Sequence, residues 1–259
     1  MTYLYGMLLS VAVLLPGFLL SSLTLNGFIV GIFVGTTVYR GFKIAGFVML
    51  FFFFFTGSIL SKIREKRVVL CFDMEKGGRR DAWQVLANGG IALVGSVIYT
   101  LGIKEMLYLF TGAVATVTAD TWATEIGLLS KAKPRFITNF KKVEPGISGG
   151  VTAYGVTAGI VGASVIGAIA FLFFKEIKIF FTTIIGGTVG FIMDSILGAT
   201  IQRIGYCNRC KKFTEKLIHG CGERTEKIRG TNIINNDWVN FLSSLLGGVS
   251  AFLVALGVK

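Results

Sequence analysis

Residues 105–128 read EMLYLFTGAVATVTADTWATEIGL. A helix of this length, at about 1.5 Å per residue, crosses the roughly 30 Å hydrocarbon core of a bilayer. Most of the stretch is apolar, but Asp120 and Glu125 lie five residues apart near its end. Charged groups are costly in lipid and usually face a bundle interior or a water-filled cavity. The stretch therefore predicts a membrane-spanning helix that brings carboxylates to a polar site.

The rest of the chain has the same character. Of its 259 residues 53% are hydrophobic and 15% are charged, the mean hydropathy is +0.71, and 34 glycines suit helices that pack closely in lipid. The apolar segments are 3–20, 23–39, 42–61, 83–102, 105–128, 147–174, 177–200 and 237–257. The first lacks the features of a cleaved signal peptide and is expected to remain as a span. We predict an all-α, polytopic membrane helix bundle of about eight transmembrane helices, forming a single integral membrane domain over 1–259.

Basic residues collect in three polar loops. Seven lie between Lys62 and Arg80, five between Lys131 and Lys142 and eight between Arg203 and Arg229, whereas the short turns on the opposite side hold five. Because Lys and Arg accumulate on the cytoplasmic side, the long loops are expected to be cytoplasmic, with both termini on the non-cytoplasmic side. No basic stripe is interleaved with aromatics, so no nucleic-acid partner is expected despite the net charge of +12.

Polar groups intrude on five spans at the predicted cytoplasmic end. They are Gln84 and Asn88 in the fourth span, Asp120 and Glu125 in the fifth, Ser148, Gly149 and Gly150 at the start of the sixth, Asp194 and Gln202 at the end of the seventh, and Asp237 and Asn240 at the start of the eighth. Asp81 and Asp237 are equally well explained as helix caps. Asp120 and Asp194 lie near helix C-termini, where the macrodipole disfavours an anion. A neighbouring Lys or Arg could offset that charge, and Mg²⁺ could neutralise both carboxylates together.

The adjoining loops carry groups suited to phosphate. Basic side chains flank the polar blocks at Lys76, Arg79, Arg80, Lys141 and Lys142. The segment GISGG (146–150) could offer backbone N–H groups to a phosphate, and its glycines indicate a re-entrant or interfacial turn as an alternative start to the sixth span. These features predict phosphoryl or nucleotidyl transfer to a lipid with an anionic head, which needs positioning and cations more than covalent catalysis.

Two further patterns leave alternatives open. The run Phe51–Phe55 favours a lipid-facing or packing surface over a dedicated groove for a lipid substrate. GAVATVTAD (112–120) and GGTVGFIMD (186–194) each place a glycine eight residues before an aspartate, as an internal repeat or by chance.

The loop 203–236 contains Cys207, Cys210, His219 and Cys221 in the pattern C-x2-C-x8-H-x-C. The opening spacing is typical of zinc sites, but H-x-C is tight for two ligands of one tetrahedral ion. Structural Zn²⁺ and reduced surface thiols are both compatible with this pattern. Cys71 stands apart from the group.

Several blocks together resemble a known family. They are DAWQVLANGG (81–90), ADTWATEIG (119–127), GISGGVT (146–152), DSILGATIQ (194–202), CNRC (207–210), HGCG (219–222) and NNDWVN (235–240). They are similar to the signature blocks of the transmembrane-protein-19 family, which includes the plant phytyl-phosphate kinase. The resemblance implies a kinase that converts a prenyl monophosphate to its diphosphate with a nucleoside triphosphate. A weaker likeness to dolichol and phytol kinases and to phosphatidate cytidylyltransferases implies CTP or another nucleotide as donor.

The resemblance places Asp120, Glu125 and Asp194 at the family's acidic positions. We expect Asp120 and Asp194 to bind Mg²⁺, and Glu125 to complete that shell or to orient the attacking phosphate. Residues five apart lie about 140° round a helix, so Glu125 is the less secure of the pair. Arg79, Arg80 and Lys142 are expected to bind nucleotide phosphates.

Other functions fit the same residues. A CTP-dependent kinase of a free prenol or lipid and a cytidylyltransferase of a lipid phosphate are the enzymatic alternatives. In an ion-coupled transporter, Asp120 and Asp194 would bind the ion, and polar groups would be expected near the bilayer midplane and on both sides.

Overall fold

The computed structural model describes residues 2–68 and 78–257, which form a helical bundle with two small sheets. The helices are α1 (Thr2–Leu19), α2 (Leu25–Arg67), α3 (Ala82–Thr100), α4 (Met106–Leu129), α5 (Ala153–Phe174), α6 (Ile177–Thr200) and α7 (Asn236–Gly257). The strands are β1 (Arg135–Phe136), β2 (Gly150–Val151), β3 (Ile204–Cys207), β4 (Lys212–Thr214) and β5 (Glu226–Arg229). By length and composition, six of these described helices, all except α4, could cross a membrane.

Helix α2 supplies two of the predicted spans. Its backbone leaves the helical region at Lys43, where φ is 53° and ψ is −142°. The rings of Tyr39 and Phe47 lie 6.3 Å apart, although eight residues of straight helix would separate them by about 12 Å. Residues 25–42 and 44–67 are therefore two helices that fold back on each other. Seven assigned helices thus account for the eight predicted spans, and the prediction of a polytopic helix bundle is confirmed.

Helix α4 lies at the centre of the bundle and packs against α2, α3, α5, α6 and α7. Ten consecutive residues, Phe110 to Ala119, are buried, so no face of this part of the helix is exposed. Small Gly, Ala and Thr side chains in this run let neighbouring helices approach closely. Its threonines and its two carboxylates lower its hydropathy, which accounts for its absence from the helices apolar enough to cross a membrane by composition alone.

The two segments with similar sequence on α4 and α6 pack side by side. A Cβ atom added to either Gly112 or Gly186 would collide with the carbonyl oxygen of Gly247 on α7, so both glycines lie at the same level of the bundle. Eight residues further on, Asp120 and Asp194 reach the same cavity. The sequence similarity therefore has a structural counterpart at the interface of the two helices.

The sixth span begins later than its apolar pattern suggests. Residues 147–152 form a turn and strand β2, which pairs with β1, and α5 starts at Ala153 after its N-cap Thr152. The boundary predicted at 147 is therefore wrong, and the glycine-rich turn given as the alternative is present. Gly149 has a φ of 84°, and a Cβ atom there would overlap the backbone of Ala199.

The segment 203–236 contains a three-stranded antiparallel sheet in the order β4-β3-β5. The sequence predicted a loop here because these strands are only three or four residues long and the segment around them is rich in Lys and Arg. The sheet follows directly on the C-terminus of α6, and its connections reach the polar end of the bundle.

Candidate active site

A cavity of about 450 Å³ opens at the end of the bundle where the long loops lie. Its walls come from the C-terminal ends of α2, α4 and α6, the N-terminal ends of α3, α5 and α7, and the turns between them. Asp120 lies nine residues before the end of α4, and Asp194 lies six residues before the end of α6. These spacings place the two carboxylates about 14 Å and 9 Å below the helix ends.

The carboxyl groups of Asp120 and Asp194 are in side-chain contact with each other. The hydroxyl of Ser243 on α7 donates a hydrogen bond of 2.9 Å to Oδ2 of Asp194. Two carboxyl groups thus face each other in the cavity, and no lysine or arginine of the described residues is ion-paired with either.

Glu125 has a different environment. Its Oε2 accepts a hydrogen bond of 2.7 Å from Nε of Arg64, and its Oε1 accepts one of 2.6 Å from the Ser61 hydroxyl. The side chains of Arg64 and Glu125 are only 12% and 11% exposed. Both oxygens of Glu125 are therefore held by residues near the end of α2.

Arg80 forms part of the cavity wall and is anchored through its backbone. Its N–H donates to the carbonyl of Ser22 and its own carbonyl accepts from the N–H of Thr24, both over 3.0 Å. Its guanidinium lies over the ring of Phe54 at 5.4 Å. Burial lowers the pKa of Arg80 to about 10, and the nearby Glu125 carboxylate acts in the opposite direction. The side chain therefore remains cationic at neutral pH.

The first turn of α3 is fixed by a capping box. The Asp81 carboxylate accepts from the N–H of Gln84 over 2.9 Å, and the Gln84 side chain accepts from the N–H of Asp81 over 3.1 Å. The Asn88 amide donates to the Gln84 carbonyl, and both side chains line the cavity. The capping explanation for Asp81 is thus correct.

The segment 203–236 closes one side of the cavity through Glu215. Oε1 of Glu215 accepts hydrogen bonds from the Ser148 hydroxyl (2.8 Å) and from the buried Gln202 amide (2.7 Å). Arg203 donates to the carbonyls of Glu215 and Lys216, which fixes this turn. These bonds connect the turn before α5, the end of α6 and the small sheet.

An apolar groove of about 90 Å³ lies beside the cavity, between α1, the two halves of α2, and α3. Phe51, Phe53 and Phe54 line it, so part of the phenylalanine run forms a groove as well as a packing surface. The groove and the polar cavity share the wall residues Phe53, Arg80, Gln84 and Asn88. A ligand with a polar head and an apolar chain could contact both.

The structure brings most of the sequence-predicted residues together. Those that line the cavity are Arg80, Gln84, Asn88, Asp120, Glu125, Ser148, Gly149, Gly150, Asp194, Gln202 and Asn240. Those that do not line it are Arg79, Lys141, Lys142 and Asp237. Arg79 is exposed and donates to the carbonyl of Leu23, and Lys76 lies outside the described residues. The N–H of Gly150 donates to the carbonyl of Ile147, so it does not point to a phosphate.

The sequence interpretation missed several cavity residues. They are Ser61, Arg64, Glu65, Glu215 and Lys216, together with Ser243 behind Asp194. A signal was present for α7, because Asn236, Asn240 and Ser243 recur at helical spacing on one face. Arg64 gave no such signal, since its role depends on a contact with a residue 61 positions away.

Three of the four cysteines and the single histidine form a cluster in the segment 203–236. Sγ of Cys221 lies 3.6 Å from Sγ of Cys207 and 3.2 Å from Nδ1 of His219. One donor atom from each of Cys207, Cys210, His219 and Cys221 lies within 4.8 Å of all the others. Hydrogen bonds from the Glu223 backbone and from His219 lower the pKa of the Cys221 thiol to about 6.

The fold and the cavity define a class: a multi-pass helical membrane protein whose polar site combines two facing aspartates with arginines and adjoins an apolar groove. A family model described as integral membrane protein DUF92 matches residues 8–248, and the chain belongs to that family. This membership confirms the family predicted from the signature blocks.

Relatives from plants and archaea cover most of the chain. Protein PGR of Arabidopsis thaliana is 34% identical over 98% of this chain and 95% of its own length. An uncharacterized membrane protein of Methanocaldococcus jannaschii is 31% identical over 83% of this chain and 82% of its own. The chloroplastic protein VTE6 of Arabidopsis thaliana is 24% identical over 91% of this chain and 66% of its own. No solved structure matches the chain.

Proposed function

We propose that the protein is a membrane kinase that transfers the terminal phosphoryl group of a nucleoside triphosphate to a prenyl monophosphate. An oxygen of the prenyl phosphate forms a bond to the γ-phosphorus, and the bond from that phosphorus to the β,γ-bridging oxygen breaks. The products are a prenyl diphosphate and a nucleoside diphosphate. The observation that carries this proposal is the pairing of Asp120 and Asp194 in a cavity that also holds arginines and adjoins an apolar groove.

The paired aspartates fit a Mg²⁺ site. Mg²⁺ is commonly held by one or two carboxylates together with phosphate oxygens and water. The cavity wall carries more acidic than basic side chains: Glu65, Asp120, Glu125, Asp194 and Glu215 against Arg64, Arg80 and Lys216. Asp120 and Asp194 lie about 14 Å and 9 Å inside the helix ends, beyond the last turn over which the helix dipole acts, so the dipole argument made from the sequence does not apply to them. When bound by these aspartates, Mg²⁺ would neutralise charge on the transferring phosphoryl group.

Arg64 and Arg80 are the proposed phosphate-binding cations. Both line the cavity, and Arg forms directional charge-assisted hydrogen bonds with phosphate oxygens. Glu125 accepts the hydrogen bond from Nε of Arg64, so the two terminal nitrogens of the guanidinium can donate to a phosphate. One of them lies 3.8 Å from Oε1 of Glu65. We therefore assign Glu125 to positioning Arg64, in preference to the metal shell.

The apolar groove is the proposed site for the prenyl chain. It is lined almost entirely by apolar side chains and ends at Arg80, Gln84 and Asn88, which also face the polar cavity. A substrate with its phosphate at Arg80 would place its first apolar units against Phe53 and Phe54. The signature-block resemblance supports a prenyl phosphate as the acceptor, and its weaker likenesses leave CTP as a candidate donor.

We place this site at the cytoplasmic face. The described parts of the three basic loops lie at the end of the bundle where the cavity opens, and Lys and Arg accumulate on the cytoplasmic side of membrane proteins. A transport function has less support, because the acidic residues within the described helices lie toward this one end, and Glu105 and Glu176 at the opposite end are exposed residues that precede α4 and α6. A transport path is expected to have polar groups across both halves of the bilayer.

The proposal is tested with purified protein in nanodiscs, a γ-labelled nucleoside triphosphate and Mg²⁺. Geranylgeranyl monophosphate, geranylgeraniol and phosphatidate are offered in separate reactions, each with ATP and with CTP. We expect label in the prenyl diphosphate only. Phosphorylation of the free alcohol alone, or release of pyrophosphate from CTP with phosphatidate, would replace this proposal by one of the two enzymatic alternatives.

A further inference from the structure

The Cys/His cluster of the segment 203–236 is separate from the Asp120–Asp194 cavity and has no part in the proposed transfer. Its members, Cys207, Cys210, His219 and Cys221, come from two turns that the small sheet brings together. We propose that these four residues bind one structural Zn²⁺ ion, and that the ion fixes the segment that carries Glu215.

The distances between donor atoms fit a tetrahedral ion. With Zn–S bonds of about 2.3 Å and Zn–N bonds of about 2.05 Å, a regular tetrahedron has edges of about 3.8 Å between two sulfurs and about 3.6 Å between sulfur and nitrogen. The corresponding distances are 3.6 Å between the thiols of Cys207 and Cys221, and 3.2 Å from Cys221 to His219. These two distances would have to lengthen by a few tenths of an ångström around a central ion, and the remaining distances, all within 4.8 Å, would have to shorten by at most about 1 Å.

The local backbone explains how the short H-x-C spacing can supply two ligands. Gly222 has a φ of 85°, and its N–H donates to the carbonyl of His219 over 2.9 Å. The N–H of His219 in turn donates to the carbonyl of Glu223. This tight turn directs the imidazole and the Cys221 thiol to the same point. Gly222 thus gives the turn a left-handed backbone conformation, which L residues other than Asn and Asp rarely adopt.

The opposite turn presents the other two thiols. Cys207 ends β3 and pairs with Lys212 on β4, so the residues between them form a tight connection. The N–H of Cys210 donates to Sγ of Cys207 over 3.5 Å, as expected for a thiolate that is also a metal ligand. Lys211 closes the connection in the left-handed region with φ 53°.

The donor set selects the metal. Three thiolates and one imidazole are soft to borderline ligands, which disfavours Mg²⁺ and Ca²⁺ and suits Zn²⁺. Four protein ligands close the coordination shell and leave no position for a substrate, which is the property of structural zinc sites. The ion would therefore stabilise the fold of the segment and would take no part in chemistry.

The sheet connects this cluster to the cavity. β4 runs from the Cys210 turn to Thr214, and the next residue, Glu215, accepts hydrogen bonds from Ser148 and Gln202. The strands are only three or four residues long. Arg203 and Thr225 hold the turn at Glu215, and the proposed ion would fix the opposite end of β4, at Cys207 and Cys210. Loss of the ion is therefore expected to loosen the sheet next to Glu215.

The first experiment measures metal content. Protein is purified under reducing conditions without chelator, and its metals are quantified by plasma mass spectrometry. We expect about one zinc per chain in the wild type and in Cys71→Ser, and loss of zinc in Cys207→Ser and Cys221→Ser. A wild-type protein without zinc even after incubation with Zn²⁺, or zinc that persists in both cluster variants, would overturn the proposal.

A second measurement does not depend on the variants folding. Co²⁺ exchanged into the wild-type protein should give the d–d and thiolate charge-transfer absorption bands of a tetrahedral site, and adding Zn²⁺ should abolish them. Trypsin should cut the segment 203–229 at least about tenfold faster after a strong chelator removes the metal. Octahedral cobalt bands, a disulfide between Cys207 and Cys221 in freshly reduced protein, or unchanged proteolysis would contradict a structural zinc. None of these readouts depends on kinase activity, so the zinc site can fail while the proposed function holds.

Discussion

Two acidic groups in the cavity have different electrostatic surroundings: Glu125 is one, and the pair Asp120 and Asp194 is the other. Glu125 is held by Arg64 and Ser61, and both of its oxygens are occupied by protein donors. Asp120 and Asp194 face each other, and no described cation pairs with them. Glu125 is therefore paired within the protein, whereas the environment of Asp120 and Asp194 supports the proposal that this pair binds a cation from solution.

Removing a carboxylate from the incomplete pair should have the largest effect. Asp120→Asn keeps the shape of the side chain but removes the charge that would hold the cation. We expect kcat for prenyl-phosphate phosphorylation to fall by about 100-fold to 1,000-fold, as for loss of a group that stabilises transition-state charge. Glu105→Gln is the matched control, because this exposed carboxylate precedes the opposite end of the same helix. Normal turnover by Asp120→Asn would exclude the aspartate pair as the catalytic centre.

Breaking the complete pair should reduce stability. Glu125→Ala leaves the Arg64 guanidinium, which is 12% exposed, with only the longer 3.8 Å ion pair to the more exposed Glu65. We expect the free energy of unfolding to fall by about 3 kcal/mol, with or without Mg²⁺, because a mostly buried charge loses its close partner. Thermal denaturation in detergent measures the change.

The double variant Arg64→Ala with Glu125→Ala removes both charges and provides the control for this prediction. It should be more stable than the sum of the two single changes predicts. Additive losses would mean that the two side chains do not stabilise each other.

The support behind Asp194 should matter less than the carboxylates themselves. Ser243→Ala removes the 2.9 Å hydrogen bond to Oδ2 of Asp194. We expect the Mg²⁺ concentration for half-maximal activity to rise by about tenfold, which is typical for the loss of a residue that orients a metal ligand. Ser250→Ala on the same helix is the control, since that hydroxyl bonds only to the carbonyl of Leu246 among the contacts of the described chain. Equal responses of the two variants would contradict the prediction.

Filling the apolar groove should have the smallest effect and should act on one substrate only. Leu50 lines the groove, and Leu50→Trp would occupy space proposed for the prenyl chain. We expect KM for geranylgeranyl monophosphate to rise about fivefold, because losing the burial of about one methylene group weakens binding by roughly that factor. KM for the nucleotide should not change. Phe55→Trp, at an exposed position of the same helix outside the groove, should leave both constants unchanged. A parallel rise in both KM values after Leu50→Trp would indicate a general disturbance of the bundle.

The helical architecture and the polar end of the bundle could be predicted from the sequence, because the physics that sets them is local. Apolar length marks the spans, and the similar spacing of Gly112 and Asp120 to Gly186 and Asp194 marks two helices that meet at one level. The turn predicted between the spans 23–39 and 42–61 lies at Lys43, although the two halves of α2 join with no polar loop between them.

Contacts between distant segments account for what the sequence interpretation missed. Arg64 reads as one basic residue among several in SKIREKR, and only the packing of α2 against α4 brings it to Glu125. The three short strands after α6 lack any alternation of apolar and polar residues, so nothing in their sequence distinguishes them from a loop. Arg79 and Lys142 adjoin the polar blocks in sequence but point away from the cavity wall, because their turns face solvent.

Thermal stability as a function of Mg²⁺ tests the difference between the two acidic groups most directly. The wild type should gain stability with Mg²⁺, by about 2.7 kcal/mol at 100 times the dissociation constant. Asp120→Asn should be at least as stable as the wild type without Mg²⁺, because one of two facing charges is gone, and should show no response to the ion. Glu125→Gln should be less stable throughout and should keep the full response. A Mg²⁺ response that persists in Asp120→Asn, or that is lost only in Glu125→Gln, would contradict the assignment of the cation to Asp120 and Asp194.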